Sequence, residues 1–399
     1  MNKQTIDDII DRLPGKRVLV RVDFNVPIAD GVVGDDTRLR AAIPTVKRIS
    51  ATGAKVILVS HLGRPKSGPE PKYSLRPVAA HFAELIGKPV AFSEDCIGLK
   101  PENTVRAMGP GDICLLENLR FHAAEERNDA EFARRLAASA DIYVNDAFGS
   151  AHRAHASTEG VTKFLRIAVA GYLMEKELDF LGRLLTNPKR PLIAVLGGAK
   201  ISGKLEVLKH LMKTVDVFLI GGGMAFTFLK AQGKPIGKSL CEDDLVDTAR
   251  LILHDAEKNG RRILLPWDCV VAKELSSNAQ QEIVAVESIP DDMAGFDIGP
   301  HTVKDFDEAL QTAGTIFWNG PMGVFETPPF DEGTKAIAHS VASATDLGAV
   351  SVVGGGDSVA AIHESGVADH ISHISTGGGA SLEFLEGKVL PGVAALNDR

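Results

Sequence analysis

The sequence predicts an α/β protein of two domains, each with a parallel β-sheet flanked by helices, joined by a hinge helix. Short apolar runs alternate with helical patterns along the whole chain, which is typical of parallel sheets. Nearly every predicted strand ends in a polar or glycine-rich tip. The first-half tips carry arginine and histidine, whereas the second-half tips carry glycine, lysine and carboxylates. This segregation indicates two sheets that bind different ligands at the carboxyl ends of their strands.

In the first half, apolar runs predict strands and periodic segments predict helices. The predicted strands are 17–24, 55–61, 112–117 and 142–146. The predicted helices are 38–50, 75–86 and 128–138. Pro44 lies inside the first helical segment and indicates a late start or a kink, because proline cannot donate the helical hydrogen bond.

In the second half, the same patterns predict a longer series of elements. The predicted strands are 192–196, 217–220, 262–266, 315–318 and 350–353. The predicted helices are 200–213, 243–259, 304–311, 332–344, 358–363 and 381–386. Between the halves, segment 171–188 combines a helical pattern with a proline break, so we place the domain boundary there.

Composition narrows the class of protein. The chain has 399 residues, enough for about two or three domains, and a formal net charge of −8, which argues against nucleic-acid or membrane-surface binding. The polar start of the chain does not resemble a signal peptide, and no apolar run is long enough to cross a bilayer. The cysteines form no CxxC pair, which favours a reduced, cytoplasmic setting with thiols as core filler. They are Cys96, Cys114, Cys241 and Cys269.

The first-half tips predict a site for a small anionic molecule. Guanidinium groups bind phosphate and carboxylate bidentately, so several at one sheet edge would hold a molecule that carries both. A surface ion pair is the favoured interpretation of any one arginine alone, but four at successive strand tips favour a site. His61 could be a general base, an anion contact or a cap; because no Ser or Cys nucleophile elbow occurs, we interpret it as substrate-binding. The candidates are Asp23, Asn25, Arg38, His61, Arg64, Arg120 and Arg153.

The stretch 191–204, at the middle of the chain, predicts a phosphate site. An apolar run ends at Gly197 and Gly198, and Lys200 and Lys204 fall in the first turns of the predicted helix. Like charges at this spacing repel, and cations oppose the positive end of the helix dipole. A bound polyanion would remove both penalties. The alternative is a surface helix that happens to be lysine-rich.

Other second-half tips predict a distributed nucleotide site. No GxxxxGK[ST] motif and no protein-kinase motif occurs. Glu326 ends a loop and suits ribose hydroxyls, while glycines 377–379 open a helix with free N–H groups for phosphate. Asp357, in the run 354–358, is either a helix N-cap or a Mg²⁺ contact through a bound nucleotide.

Motifs along almost the whole chain resemble the phosphoglycerate kinase family, in its bacterial form, and occur in the family's order. In the first half they are RVDFNVP (21–27), HLGRP (61–65), LLENLRF (115–121) and NDAFGSAHR (145–153). In the second half they are LGGAKISGK (196–204), FWNGPMGVFE (317–326), GGGDS (354–358) and STGGGAS (375–381). The resemblance implies two Rossmann-like domains.

The resemblance also implies roles for individual residues. 3-Phosphoglycerate or 1,3-bisphosphoglycerate would bind Asp23, Phe24, Asn25, Arg38, His61, Leu62, Gly63, Arg64, Arg120 and Arg153. ATP or ADP would bind Gly198, Ala199, Lys200, Lys204, Gly222, Asn319, Glu326, Gly355, Gly356, Asp357 and Ser358, with Mg²⁺ near Asp357. The phosphoryl in transit would be surrounded by Arg38, Lys200, Gly378 and Gly379.

By the same resemblance, the domains are 1–172 with a returning segment of about 381–399, a hinge over 173–187, and 188–380. Glu175 and the strand that carries His373 are hinge candidates, and the protein is expected to be a monomer. Both possible nucleophiles, a carboxylate and an ADP oxygen, are ionised at pH 7, which fits the lack of an obvious general base. Two other classes remain open: a different acyl-phosphate kinase, and a non-catalytic nucleotide-binding regulator.

Overall fold

The computed structural model describes residues 2–66 and 68–399, and the chain divides into two units. The first contains the chain up to Asp179 together with Val389–Arg399, and the second is Phe180–Lys388. Each unit is built on a six-stranded sheet in which every pairing is parallel. Within the described residues, no helix has the length and apolar character that crossing a membrane requires.

The first unit alternates strands and helices. Its strands are β1 (Arg17–Arg21), β2 (Ile28–Ala29), β3 (Val32–Val33), β4 (Lys55–Val59), β5 (Val90–Ser93), β6 (Ile113–Leu116), β7 (Ile142–Asn145) and β8 (Ala168–Ala170). Its helices are α1 (Thr37–Ala51), α2 (Arg76–Ile86), α3 (Leu99–Ala107), α4 (Ala130–Ala137) and the first half of α5 (Tyr172–Thr186). The main sheet has the order β5-β6-β4-β1-β7-β8. Hence the strands β6, β4, β1 and β7 are consecutive neighbours at its centre.

The second unit has a parallel sheet and a smaller antiparallel one. Its strands are β9 (Leu192–Leu196), β10 (Val217–Ile220), β11 (Arg262–Leu264), β12 (Asp268–Ala272), β13 (Gln281–Ala285), β14 (Ala294–Ile298), β15 (Thr315–Asn319), β16 (Val350–Val353) and β17 (His373–Ile374). Its helices are α6 (Leu205–Leu211), α7 (Met224–Ala231), α8 (Val246–Lys258), α9 (Pro300–Leu310), α10 (Glu332–Asp346), α11 (Gly356–Glu364) and α12 (Gly379–Leu385). The parallel sheet has the order β11-β10-β9-β15-β16-β17, and β13-β12-β14 form the antiparallel sheet. A last helix, α13 (Pro391–Ala394), belongs to the first unit.

The structure corrects several predicted bounds. The predicted strands 17–24 and 55–61 end earlier, at Arg21 and Val59, because the chain leaves the sheet to form the polar tips. Pro44 neither delays nor divides α1, which runs unbroken from Thr37 to Ala51. A single lost hydrogen bond is offset there by the buried face of the helix, which includes Leu39, Val46 and Ile49.

The unit boundaries differ from the predicted domain bounds. The division falls inside α5, between Asp179 and Phe180, and α12 groups with the second unit instead of returning to the first. Only Val389–Arg399 returns, and it is tied to the first unit by hydrogen bonds. Asn145 Nδ2 donates to the Gly392 carbonyl at 3.0 Å, and the Asn397 N–H donates to the Ala168 carbonyl at 2.8 Å.

Candidate functional site

In the first unit, the predicted anion-binding residues follow the four central strands. Asp23 and Asn25 follow β1, His61–Arg64 follow β4, Arg120 follows β6 and Arg153 follows β7. Because these strands are parallel neighbours, their carboxyl ends lie at one edge of the sheet. The topology therefore brings together the residues that the sequence placed at separate tips.

Direct contacts join these tips. Arg38 Nη1 donates to the Asn25 carbonyl at 3.1 Å and lies 3.4 Å from Asp23 Oδ2. Asn25 Oδ1 accepts the Gly63 N–H at 2.9 Å, and Arg120 Nη1 donates to the Gly63 carbonyl at 2.7 Å. Gly63 has φ +63°, and a Cβ there would lie 2.3 Å from the Tyr73 ring, so this position requires glycine.

Two residues of the predicted set cannot present their side chains to a ligand. The Phe24 ring is fully buried and packs on Phe82 with ring centroids 4.9 Å apart, while its N–H donates to Ser60 Oγ. Leu62 is also buried, and Asn118 binds both its N–H and its carbonyl. These residues shape the edge, whereas the Arg64 side chain is exposed and Arg153 is partly exposed.

His61 is held as a neutral hydrogen-bond donor by a residue that the sequence interpretation missed. Arg21 is fully buried, and its Nη2 lies 3.1 Å from His61 Nδ1. A guanidinium has only donors, so Nδ1 accepts and the ring proton sits on Nε2. Burial, and then the positive charges of Arg21, Arg120 and Arg153, hold the pKa of His61 well below its ordinary value. The site therefore favours an anion contact through Nε2–H over a general base.

Arg21 is in turn fixed by a buried carboxylate. Arg21 Nε donates to Ser157 Oγ at 2.9 Å, and Ser157 donates from Oγ and N to the two oxygens of Glu125 at 2.5 and 2.9 Å. Glu125 has no exposed surface, and burial raises its pKa. Arg21 was visible in the sequence as the start of a motif, but Ser157, which accepts from its Nε, lies more than a hundred residues away.

We expect Ser157→Ala to raise KM for 3-phosphoglycerate, the substrate that the family resemblance implies, by roughly 3- to 10-fold with a smaller change in kcat, because it removes the hydroxyl that fixes Arg21 and thus His61. Steady-state kinetics measures both constants. Tyr143→Phe is the matched control, since the Tyr143 hydroxyl donates to the Ser157 carbonyl and not to the guanidinium. An equal rise of KM in Tyr143→Phe would contradict this role, since general loosening would then explain both.

In the second unit, the predicted nucleotide residues follow five adjacent strands. The tips after β10, β9, β15, β16 and β17 carry the segments 221–223, 197–204, 319–326, 354–358 and 375–379. The strands are again parallel neighbours, so their carboxyl ends share one edge. The sheet thus gathers every predicted nucleotide residue at that edge.

Three of the glycine runs pack against one another. A Cβ on Gly222 would lie 2.6 Å from Gly198 N, and one on Gly320 would lie 2.3 Å from the Gly197 carbonyl oxygen. The Gly198 N–H donates to the Pro321 carbonyl at 2.9 Å, and the Met224 N–H donates to the Gly198 carbonyl at 3.0 Å. Glycine is therefore needed at Gly197, Gly222 and Gly320 for close loop packing.

Three glycines of the last tips face open space instead, although a Cβ on Gly355 would lie 2.7 Å from Asn319 Nδ2. Among the described residues, no atom outside their own neighbourhood lies within 4 Å of where a Cβ would begin at Gly356, Gly378 or Gly379. Gly378 also has φ +53°, the left-handed region. A ligand can approach the backbone closely at these three positions.

The lysines do not stand where the sequence predicted. The predicted helix 200–213 is wrong at its start, because α6 begins at Leu205 and Lys204 is its N-cap. Lys200 lies in the preceding turn with an exposed side chain, so the two lysines are not neighbours on a helix. The helical pattern begins only at Leu205, and Gly203 favours a turn before it. Burial lowers the pKa of Lys204 to about 8, although the Asp357 carboxylate raises it.

Asp357 is not the N-cap of α11. That position belongs to Gly355, with φ +95°, and Asp357 is an exposed residue of the first turn. Ser358 is buried, and its Oγ accepts the Gly320 N–H at 2.5 Å. Asn319 Nδ2 donates to the Gly354 carbonyl at 2.6 Å, while its buried Oδ1 has no partner among the described residues. Ser358 and Asn319 thus tie neighbouring tips together and leave the Asp357 carboxylate at the surface.

The remaining predicted residues are exposed at the same edge. Glu326 lies in the middle of the loop 320–331, between β15 and α10, and Ala199 precedes Lys200.

The whole sequence is similar to known proteins of one family. The family model described as phosphoglycerate kinase matches residues 6–388. The chain belongs to the phosphoglycerate kinase family. A phosphoglycerate kinase from Chloroherpeton thalassium is 55% identical over 398 residues, covering 100% of both chains, and one from Thermosynechococcus vestitus is 57% identical over 387 residues, covering 97% of this chain and 96% of the relative.

Solved structures agree with this family. The phosphoglycerate kinase of Coxiella burnetii superposes with a TM-score of 0.90 at 41% identity, covering 98% of both chains. That of Pyrococcus horikoshii OT3 gives a TM-score of 0.81 at 33% identity, covering 96% of both. The family and the two parallel α/β sheets predicted from the sequence are both confirmed. As a member of this phosphoglycerate kinase family, the chain is a kinase.

Proposed function

We propose that the chain transfers the acyl phosphoryl group of 1,3-bisphosphoglycerate directly to MgADP, giving 3-phosphoglycerate and MgATP, and also catalyses the reverse reaction. The supporting observation is that the carboxyl edges of the two parallel sheets carry different chemical groups. One edge gathers guanidiniums and a neutral imidazole donor, and the other gathers lysines and open glycine backbone. Because the nucleophiles are ionised at neutral pH, the transfer needs no general base, and catalysis can rest on positioning the substrates and neutralising their charge.

The first-unit edge is proposed to hold the phosphoglycerate. Arginine side chains bind its phosphate and carboxylate bidentately, His61 donates from Nε2, and Asp23 and Asn25 orient Arg38. Phe24, Leu62 and Gly63 contribute by shaping this edge. The full set proposed is Asp23, Phe24, Asn25, Arg38, His61, Leu62, Gly63, Arg64, Arg120 and Arg153.

The second-unit edge is proposed to hold the nucleotide. Lys204 binds a phosphate, Glu326 binds the ribose hydroxyls, and the glycine tips admit the nucleotide closely. Asp357 could contact Mg²⁺, because its carboxylate is exposed and does not cap α11. The bound ion would neutralise phosphate charge. The full set proposed is Gly198, Ala199, Lys200, Lys204, Gly222, Asn319, Glu326, Gly355, Gly356, Asp357 and Ser358.

Transfer is proposed to occur when hinge closure brings the two ligands into line and excludes water. Lys200, Arg38 and the N–H groups of Gly378 and Gly379 then neutralise the equatorial oxygens of the moving phosphoryl. The proposed hinge covers 173–187 and the strand of His373. In support, Phe180 of α5 stacks on the His373 ring with centroids 4.7 Å apart. We also propose that the protein is cytoplasmic and monomeric. Size-exclusion chromatography with light scattering tests the monomeric state directly.

The deciding experiment is ATP-dependent formation of 1,3-bisphosphoglycerate from 3-phosphoglycerate, followed by NADH oxidation in a coupled assay. We expect turnover with Mg²⁺ and none with EDTA. Acetate in place of 3-phosphoglycerate tests the alternative of a different acyl-phosphate kinase. A rate no higher than the blank with 3-phosphoglycerate and Mg²⁺ would reject the proposal and favour a non-catalytic nucleotide binder.

Nucleotide affinity should depend on pH through Lys204. Its ammonium has a pKa of about 8, so it is charged below that pH and loses its charge as pH rises. We expect Kd for ADP to rise by up to about tenfold per pH unit above pH 8, because only the cation attracts phosphate. Isothermal titration calorimetry between pH 7 and pH 9.5 measures this dependence.

Lys204→Arg is the matched control, since arginine keeps its charge throughout that range and its Kd should stay flat. The same rise of Kd in Lys204→Arg would show that another group titrates.

A further inference from the structure

The turn that carries Lys200 has few attachments of its own. It spans residues 199–204, between Gly198, whose N–H donates to the Pro321 carbonyl, and the start of α6. The Ile201 side chain is fully buried, and the Lys204 N–H donates to the Ile201 carbonyl at 2.9 Å. Lys200, Ser202 and Gly203 are exposed. An exposed turn with a glycine needs another constraint to hold a lysine in one place.

That constraint is a carboxylate forty residues further along the chain. Glu242 Oε2 accepts the Ser202 N–H at 2.9 Å, and Glu242 Oε1 accepts the Ser202 hydroxyl at 2.6 Å. Both carboxylate oxygens of Glu242 therefore bind Ser202, which lies in the middle of the turn. The Ser202 N–H is therefore bound to Glu242 and is not free to bind a phosphate.

Glu242 is itself anchored to a buried helix. Its N–H donates to Thr227 Oγ1 at 3.2 Å, and Thr227 is 1% exposed on α7. Burial opposes ionisation of Glu242, but the hydroxyl and N–H of Ser202, followed by the positive charge of Lys200, outweigh it and lower the pKa of the carboxyl. The turn is thus connected through an ionised carboxylate to the rigid part of the second unit.

We propose that Glu242 is a positioning residue for phosphoryl transfer: it clamps Ser202 and so holds Lys200 where the transferred group passes. The inference rests on the proposed role of Lys200. Ser202 is two residues from Lys200, so release of the clamp lets the lysine backbone move. The ammonium must then be ordered during the reaction, at a cost that appears in kcat.

The first test compares Glu242→Ala with Asp243→Asn. Asp243 is the adjacent carboxylate, but it pairs with Lys230 at 2.7 Å and is exposed. We expect Glu242→Ala to lower kcat by about 10- to 100-fold with KM for 3-phosphoglycerate changed less than about twofold. Glu242→Gln should retain part of the rate, and Asp243→Asn should match the parent. Ser202→Ala is a second, gentler variant that should lower kcat in the same direction.

The second test places Glu242→Ala in a Lys200→Ala background. If Glu242 acts through Lys200, the double variant should have the kcat of Lys200→Ala alone. Multiplied losses would overturn the inference, as would normal kcat in both Glu242→Ala and Ser202→Ala while Lys200→Ala is slow. Normal kcat in Lys200→Ala would instead reject the role of Lys200, and the inference with it. Thermal unfolding of each variant identifies any loss due to misfolding.

Discussion

Lys200→Ala should lower kcat by about 10²- to 10³-fold, while KM for each substrate changes less than about threefold. The lysine lies in an exposed turn at the end of β9, and the expected interaction forms with the phosphoryl group only as it moves. Removal of a group that acts in the transition state lowers kcat and kcat/KM together. Steady-state kinetics with both substrates varied measures these constants.

Lys204→Ala is the internal comparison for this result. Lys204 is the largely buried N-cap of α6, and we expect its loss to raise KM for ATP more than it lowers kcat. The two lysines are four residues apart, so a general electrostatic change would affect both constants in both variants. A near-normal kcat in Lys200→Ala would remove this residue from the transfer step.

The sequence alone predicted the strands correctly where the local apolar pattern and the sheet topology agree. Strands 192–196, 217–220 and 350–353 match β9, β10 and β16 because central strands of a parallel sheet are continuous apolar runs. Candidate residues could be proposed at the strand tips because parallel strands bring their carboxyl ends to one edge, and the others followed from the family resemblance. The three-residue edge strand β8 and the antiparallel sheet were missed, and β17 was expected only as the strand that carries His373.

The sequence was insufficient where a partner is distant along the chain. The buried Arg21 guanidinium donates to Ser157, which in turn donates to Glu125, and no local pattern links these residues. Likewise, the start of α6 follows from a turn held by Glu242, which the lysine spacing cannot reveal. The glycine runs looked alike in the sequence, yet their neighbours in the structure divide the individual glycines into packed ones, such as Gly222 and Gly320, and open ones, such as Gly378 and Gly379.

Arg38→Ala should also lower kcat by about 10²- to 10³-fold, beyond any effect on KM for 3-phosphoglycerate. Its guanidinium is held by the Asn25 carbonyl at 3.1 Å and lies 3.4 Å from the Asp23 carboxylate, so it is already oriented before transfer. A preorganised cation stabilises developing charge without reorganisation, which is the reason for expecting the loss in kcat.

Arg38→Lys tests whether the planar guanidinium or only its positive charge is needed, and Arg40→Ala is the control. Arg38→Lys should remain slow, because a point charge cannot keep the bidentate fork. Arg40→Ala is the matched control on the same helix, since Arg40 is exposed and pairs with Asp36 at 2.7 Å. If Arg38→Ala raises KM and leaves kcat intact, Arg38 binds the ground state only, and the charge of the moving phosphoryl must be met by Lys200 and the backbone of Gly378 and Gly379.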